Sequence, residues 1–112
     1  MTAHTSKDFE QELRTLRERL ATMGERAARQ IALAMKALSD KDDELARDVV
    51  RNDTQIDRDE NDVDELALQI LATRQPVASD LRFITMALKF VVDLERIGDL
   101  AAHALDQVLD DR

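Results

Sequence analysis

One line of apolar side chains constrains this chain more than any other feature. Phe9, Leu13, Leu16, Leu20, Met23, Ala27, Ile31, Ala34 and Leu38 recur at steps of mostly four and three residues. That rhythm gathers them on one stripe of an α-helix sustained for about four heptads, so the helix packs lengthwise against near-parallel partners.

The rest of the chain divides into two further rods. Only two glycines and one proline occur in 112 residues, so long helices are expected and strands are not. The run from Thr5 to Asp8 offers a capping-box-like start, and the first helix is predicted over about 6–38. The polar run SDKDD ends it. A second helix is predicted over 42–73, with Leu45, Val49, Ile56, Val63, Ala67 and Ile70 on its inner line. Pro76 forces the next boundary, because the residue before proline avoids helical geometry while proline suits a first turn, and the third helix is predicted over 76–110. Connections this short make sequential helices antiparallel. The expected fold is therefore all-α: one domain over residues 1–112, an up-down-up bundle of three rods on the order of 45 Å long at about 1.5 Å per residue.

Helix 3 carries two apolar lines. One is Val77, Leu81, Ile84, Leu88 and Val91; the other is Phe83, Phe90 and Ile97, joined by Met86 and Val108. A helix apolar on two faces is central in its assembly. Either helices 1 and 2 cover both faces, or Phe83, Phe90 and Ile97 face a further partner, a second copy of the chain or a second domain.

Charge removes several functions. The net charge is -8 and the sequence pI about 4.7, whereas binding a phosphate backbone needs a basic face, so nucleic acid is not an expected partner. The absence of cysteine excludes disulfides and thiolate metal sites and fits a reducing, cytosolic setting. No long apolar run suggests a signal peptide or a membrane span, so a soluble protein without membrane insertion is expected.

The acids are not evenly spread. Of 24 acidic residues, 12 lie between Asp40 and Glu65, and Asp53, Asp57, Glu60 and Asp64 form a stripe at steps of four, three and four. Like charges at these spacings repel. On helix 3, Glu95 continues the apolar line and Asp99 follows one turn later, both at expected seam positions. With the turn centred near Gln75, Asp57 lies 18 residues before it and Glu95 20 after, while Asp53 and Asp99 lie 22 before and 24 after. The two pairs should meet at one height across an antiparallel hairpin.

Four converging carboxylates suit a hard cation that takes oxygen ligands: iron, manganese, magnesium, calcium or zinc. The competing readings are salt bridges to helix 1 arginines such as Arg19 or Arg26, and plain solvated acids. Glu60 and His103 are additional candidate ligands, His103 being equally readable as a surface or partner-contacting residue. Redox di-iron bundles use Glu-x-x-His motifs. Here Leu100 precedes His103 by three, and His4 is expected before the first helix. No serine–histidine constellation or phosphate-cradling loop indicates catalysis either. Gly24 and Gly98 fall inside predicted helices, where close packing or access to the acids would explain them.

His4-Thr5 with FEQEL (9–13), MG (23–24), DDELARDVVRNDTQID (42–57), RQPVASDLR (74–82) and DLERIGD (93–99) together resemble the PhoU domain of accessory and regulatory proteins of phosphate-specific ABC transport. Members of that family typically comprise two tandem three-helix bundles whose acidic-x-x-x-Asp motifs bind multinuclear metal clusters. Asp53 to Asp57 and Glu95 to Asp99 match that form, so the resemblance assigns these four the ligand role; Glu60 and Asp93 lie near the motifs but outside them. It further implies a non-enzymatic, cytoplasmic protein at the inner face of the membrane, repressing the phosphate-starvation response through contacts with a sensor histidine kinase and the transporter ATPase. The chain carries one repeat where the family usually has two, which fits either an N-terminal fragment or a single repeat that forms a homodimer. A purely structural dimerisation module with salt-bridged, metal-free acidic stripes is the alternative.

Overall fold

The computed structural model describes the backbone of residues 3–111 and the side chains of residues 7–111. Three helices, α1 (Ala3–Asp40), α2 (Asp43–Thr73) and α3 (Ala78–Asp110), run up, down and up in a rod of 62 × 18 × 18 Å. None is long and apolar enough to cross a membrane.

Local chemistry sets the boundaries. α1 begins at Ala3, so it passes through His4 and Thr5 instead of starting after them; the Thr5 side chain of the capping box expected there lies outside the described residues. At the other end Lys41 takes a left-handed conformation, φ 54°. The Asp42 N–H bonds to the Ala37 carbonyl at 2.9 Å and the Lys41 N–H to that of Leu38 at 3.4 Å, a Schellman closure. Asp42 then caps α2 by accepting from the Leu45 N–H at 3.0 Å. Pro76 precedes α3 instead of sitting in its first turn: Val77 is the extended N-cap residue, and the helix starts at Ala78. Arg74 closes α2 by donating its N–H to the Ile70 carbonyl, and its guanidinium pairs with Glu12 of α1.

The core follows a stricter heptad than the apolar letters suggest. On α1 the buried seam runs Leu13, Leu16, Met23, Ala27, Gln30, Ala34, Ala37, while Ile31 and Leu38 are 37% and 44% exposed. Strict alternation of three and four leads from Ala27 to Gln30; reaching Ile31 takes two consecutive steps of four, which slide the line around the helix. Gln30 is accommodated because its amide donates to the Val49 carbonyl at 2.8 Å. On α2, Val49, Ile56, Val63, Ala67 and Ile70 are buried as expected. On α3 the seam is Ile84, Ala87, Val91, Leu94, Gly98, Ala102 and Leu105, and Val77 and Leu81 of the expected line are exposed. The second apolar line divides. Phe83 packs on the core beneath the Arg17 guanidinium, 4.9 Å from its ring centre, whereas Met86, Phe90 and Ile97 are exposed.

Candidate metal centre

The site is built where α2 packs tightly against a glycine of α3. A Cβ on Gly98 would lie 3.0 Å from Ile56 Cδ1 and 3.1 Å from Asp53 Oδ1, so the bare backbone of α3 lets buried Ile56 seat against it. Asp57 and Asp99, each one position past a seam residue, and Asp53, four residues after Val49 and three before Ile56, then converge along the helix edge. Asp53, Asp57 and Asp99 each bring a carboxylate oxygen within 4.8 Å of the others. Glu95 and Asp99 lie beside the seam residues Leu94 and Gly98 and not in the seam itself; Glu95 is half-buried and Asp99 exposed. That offset leaves the cluster open to solvent on one side.

The electrostatics are those of crowded like charges. Burial, a hydrogen bond shared with Asp99 when either carboxyl holds a proton, and the charges of Asp99 and Asp57 push Asp53 up to about 6. Glu95 rises to about 7, first through its hydrogen bond with Asp99, then through burial and the charges of Asp99, Glu60 and Asp57. Glu60 is raised by burial and by Asp64, Asp57 and Asp99, and Asp64 by burial. Glu95 and Glu60 therefore border the three-aspartate group without joining it, and His103 is exposed and stands outside it.

The arginines of α1 go elsewhere. Arg26 pairs with Asp59, and Arg19 donates to the Asp62 carbonyl at 3.1 Å. Among the described residues no Lys or Arg pairs with Asp53, Asp57, Glu95 or Asp99. Asp59, which spacing overlooked, is the acid α2 buries: it is 9% exposed and also accepts from Gln55 Nε2 at 3.2 Å. The signal was its position, three after Ile56 and four before Val63, on the seam itself. Of the two glycines, only Gly98 is closely packed; a Cβ on Gly24 would meet nothing within 4 Å.

The residues fit a cation. Asp53 Oδ1 is buried without a hydrogen-bond partner, a costly state that a bound cation relieves. All the gathered donors are hard carboxylate oxygens, which suits iron, manganese, magnesium or calcium better than a soft metal.

Comparison with known proteins agrees with this architecture. The PhoU domain model matches residues 20–108, a span that includes both acidic motifs. A Pseudomonas aeruginosa protein named phosphate-specific transport system accessory protein PhoU homolog is 46% identical over 91% of this chain and 42% of its own length. The Escherichia coli K12 accessory protein PhoU is 39% identical over 88% of this chain and 41% of its own. The crystal structure of PhoU from P. aeruginosa superimposes with a TM-score of 0.87 at 43% identity, covering 91% of this chain and 49% of that one. The phosphate transport system regulatory protein PhoU from Streptococcus pneumoniae gives 0.84 at 31% identity, covering 90% and 48%. The chain thus spans less than half the length of the relatives it matches. By sequence and by three-helix architecture, the chain belongs to the PhoU family.

Proposed function

We propose that this chain is a non-enzymatic, cation-binding regulatory unit of a phosphate transport system, with Asp53, Asp57 and Asp99 as the primary ligands. The observation that carries the cation reading is the orphaned, buried Oδ1 of Asp53 at the Gly98 contact, on a carboxyl group gathered with those of two further aspartates. Glu95 supplies a fourth carboxylate, Glu60 borders the group for a second ion of a multinuclear cluster, and His103 is a peripheral candidate. Iron, manganese, magnesium, calcium and zinc are the candidate ions. A bound cation would supply positive charge between α2 and α3, and its role is to hold the two helices in register. The regulatory reading draws on relatives named as accessory and regulatory proteins of phosphate transport. In it the chain acts at the cytoplasmic face of the membrane, contacts a sensor histidine kinase and the transporter ATPase through its helical faces, and pairs with a second three-helix unit.

Metal analysis of protein purified without chelator, set beside an Asp57→Asn, Glu95→Gln variant, tests the cation reading. Bound metal in the wild type and loss in the variant are expected, together with a rise in wild-type melting temperature on adding Mn²⁺ that the variant lacks. A metal-free wild type indifferent to Mn²⁺ would defeat it. The regulatory reading is tested separately by pull-down of the kinase or ATPase with this chain and with a two-repeat relative; retention by neither would count against it.

A further inference from the structure

The seams of all three helices lose their apolar side chains at one height. On α1 the buried line passes from Ala27 through Gln30 to Ala34. On α2 it passes from Val49 to Ile56 through the half-buried Asp53, four residues after the one and three before the other. On α3 it passes from Leu94 through Gly98, which brings no side chain, to Ala102. These positions meet. Gln30 donates its amide to the Val49 carbonyl at 2.8 Å, which in the continuous helix also accepts from the Asp53 N–H one turn on. A Cβ on Gly98 would lie 3.1 Å from Asp53 Oδ1. An amide, a carboxylate and a bare stretch of backbone therefore form one layer across the bundle.

The apolar core is interrupted at that layer. One cluster lies toward the α2–α3 turn and includes Leu16, Met23, Ile56, Val63, Ile84 and Val91. A separate one lies toward the α1–α2 turn, and its buried members among the described residues are Ala34, Ala37, Ala46, Val49 and Leu105. Alanines remove little apolar surface from water, so the second cluster holds its part of the bundle more weakly than the first. Lys41, in its left-handed conformation, lies in the turn that closes this weaker end.

We infer that the layer of Gln30, Asp53 and Gly98 divides the bundle into two cooperative units, and that the unit at the α1–α2 turn opens reversibly while the other stays folded. A cation held by Asp53, Asp57 and Asp99 ties α2 to α3 at the boundary and closes the weaker unit. This second step rests on the proposed cation reading; the division itself does not. Occupancy of the acidic site is thereby converted into order at the α1–α2 end of the rod, away from the ligands themselves.

Native-state hydrogen exchange of the whole chain, read by mass spectrometry, tests both steps. In metal-free buffer, helical amides within 34–50 and 101–109 should share one protection factor, about 100-fold or more below that of amides within 56–70 and 84–94. Gln30→Leu fills the layer with an apolar side chain and leaves the Val49 carbonyl bonded within α2, so it should narrow that gap to about tenfold or less. Protection that is uniform along the rod, or that declines smoothly toward the turn, would overturn the division, as would a gap that Gln30→Leu leaves unchanged. Mn²⁺ at about ten times its Kd should slow exchange in both units by the same factor of about ten, because either opening breaks the site. Metal analysis of the same samples separates the two steps. Absence of bound Mn²⁺ would defeat the cation reading and the closure with it, whereas bound Mn²⁺ with unchanged exchange at the turn end would overturn the closure alone.

Discussion

The two glycines of this chain do opposite things at the residue scale. A Cβ at Gly98 would crowd buried Ile56 and the orphaned Asp53 oxygen at 3.0 and 3.1 Å, whereas Gly24 faces open space and has no positive φ. Gly24→Ala should stabilise by up to about 1 kcal/mol through helix propensity. Gly98→Ala gains the same propensity yet must displace Ile56, and we expect a net loss of about 1–2 kcal/mol together with weaker cation binding. Thermal melts and Mn²⁺ titration of both variants check this; equal stabilisation by the two alanines would show that the helices can separate at no cost. The sequence made the common height of Asp53, Asp57, Glu95 and Asp99 readable, because helical spacing and turn length fix axial position. It did not reveal that Asp99 joins both α2 aspartates while Glu95 stands beside the group, since the two acids share one offset from the seam and the difference lies in where each side chain is placed.

At the scale of the element, the fold was legible wherever heptad spacing and apolar identity agreed, and obscured where they parted. They part at Gln30, which holds a seam position as a hydrogen-bonded amide, and Ile31 and Leu38 are turned out to the α1–α3 face as a result. The start of α3 was misplaced by two residues because an uncapped N-terminus at Val77 leaves no polar signal. The α1–α2 turn, in contrast, hides an avoidable strain: Lys41 occupies the left-handed position that glycine normally fills. Lys41→Gly should raise stability by about 1 kcal/mol by removing the Cβ penalty there. At the other turn, Arg74 binds Glu12 through Nε at 2.9 Å and a second guanidinium nitrogen, while Glu12 Oε2 is buried without a partner. Arg74→Ala should therefore destabilise by about 2–3 kcal/mol, less than for a wholly buried pair, by leaving a largely buried carboxylate unpaired. Denaturant melts with unchanged slope would confirm both; an Arg74→Ala variant as stable as wild type would mean that water replaces the guanidinium freely.

Among the described residues three grooves have separate characters: acids where α2 meets α3, arginines interleaved with acids where α1 meets α2, and apolar side chains where α1 meets α3. The acidic groove gives stability a distinctive pH dependence. Asp53 at about 6 and Glu95 at about 7 are raised from ordinary values of 3.8 and 4.5, so between these limits the folded protein holds protons that the unfolded chain has released. Their stabilising contribution is complete below about pH 4, falls as pH rises through 6 and 7, and is absent above. Because both groups are substantially solvated, the loss should amount to about 1 kcal/mol in total, or a few degrees in melting temperature. Carboxylates in the arginine pairs impose the opposite trend in acid, so the informative quantity is the difference between wild type and Asp57→Asn, Glu95→Gln. In metal-free buffer the variant should gain relative stability steadily from pH 4.5 to 7.5, since the neutral side chains no longer meet like charges. Adding Mn²⁺ should reverse the ordering at the upper end, because the cation binds the deprotonated cluster that only the wild type can form. A difference that stays flat with pH would mean that the four carboxylates are independent surface charges, and a reversal that is missing at pH 7.5 would mean that the cluster repels without coordinating.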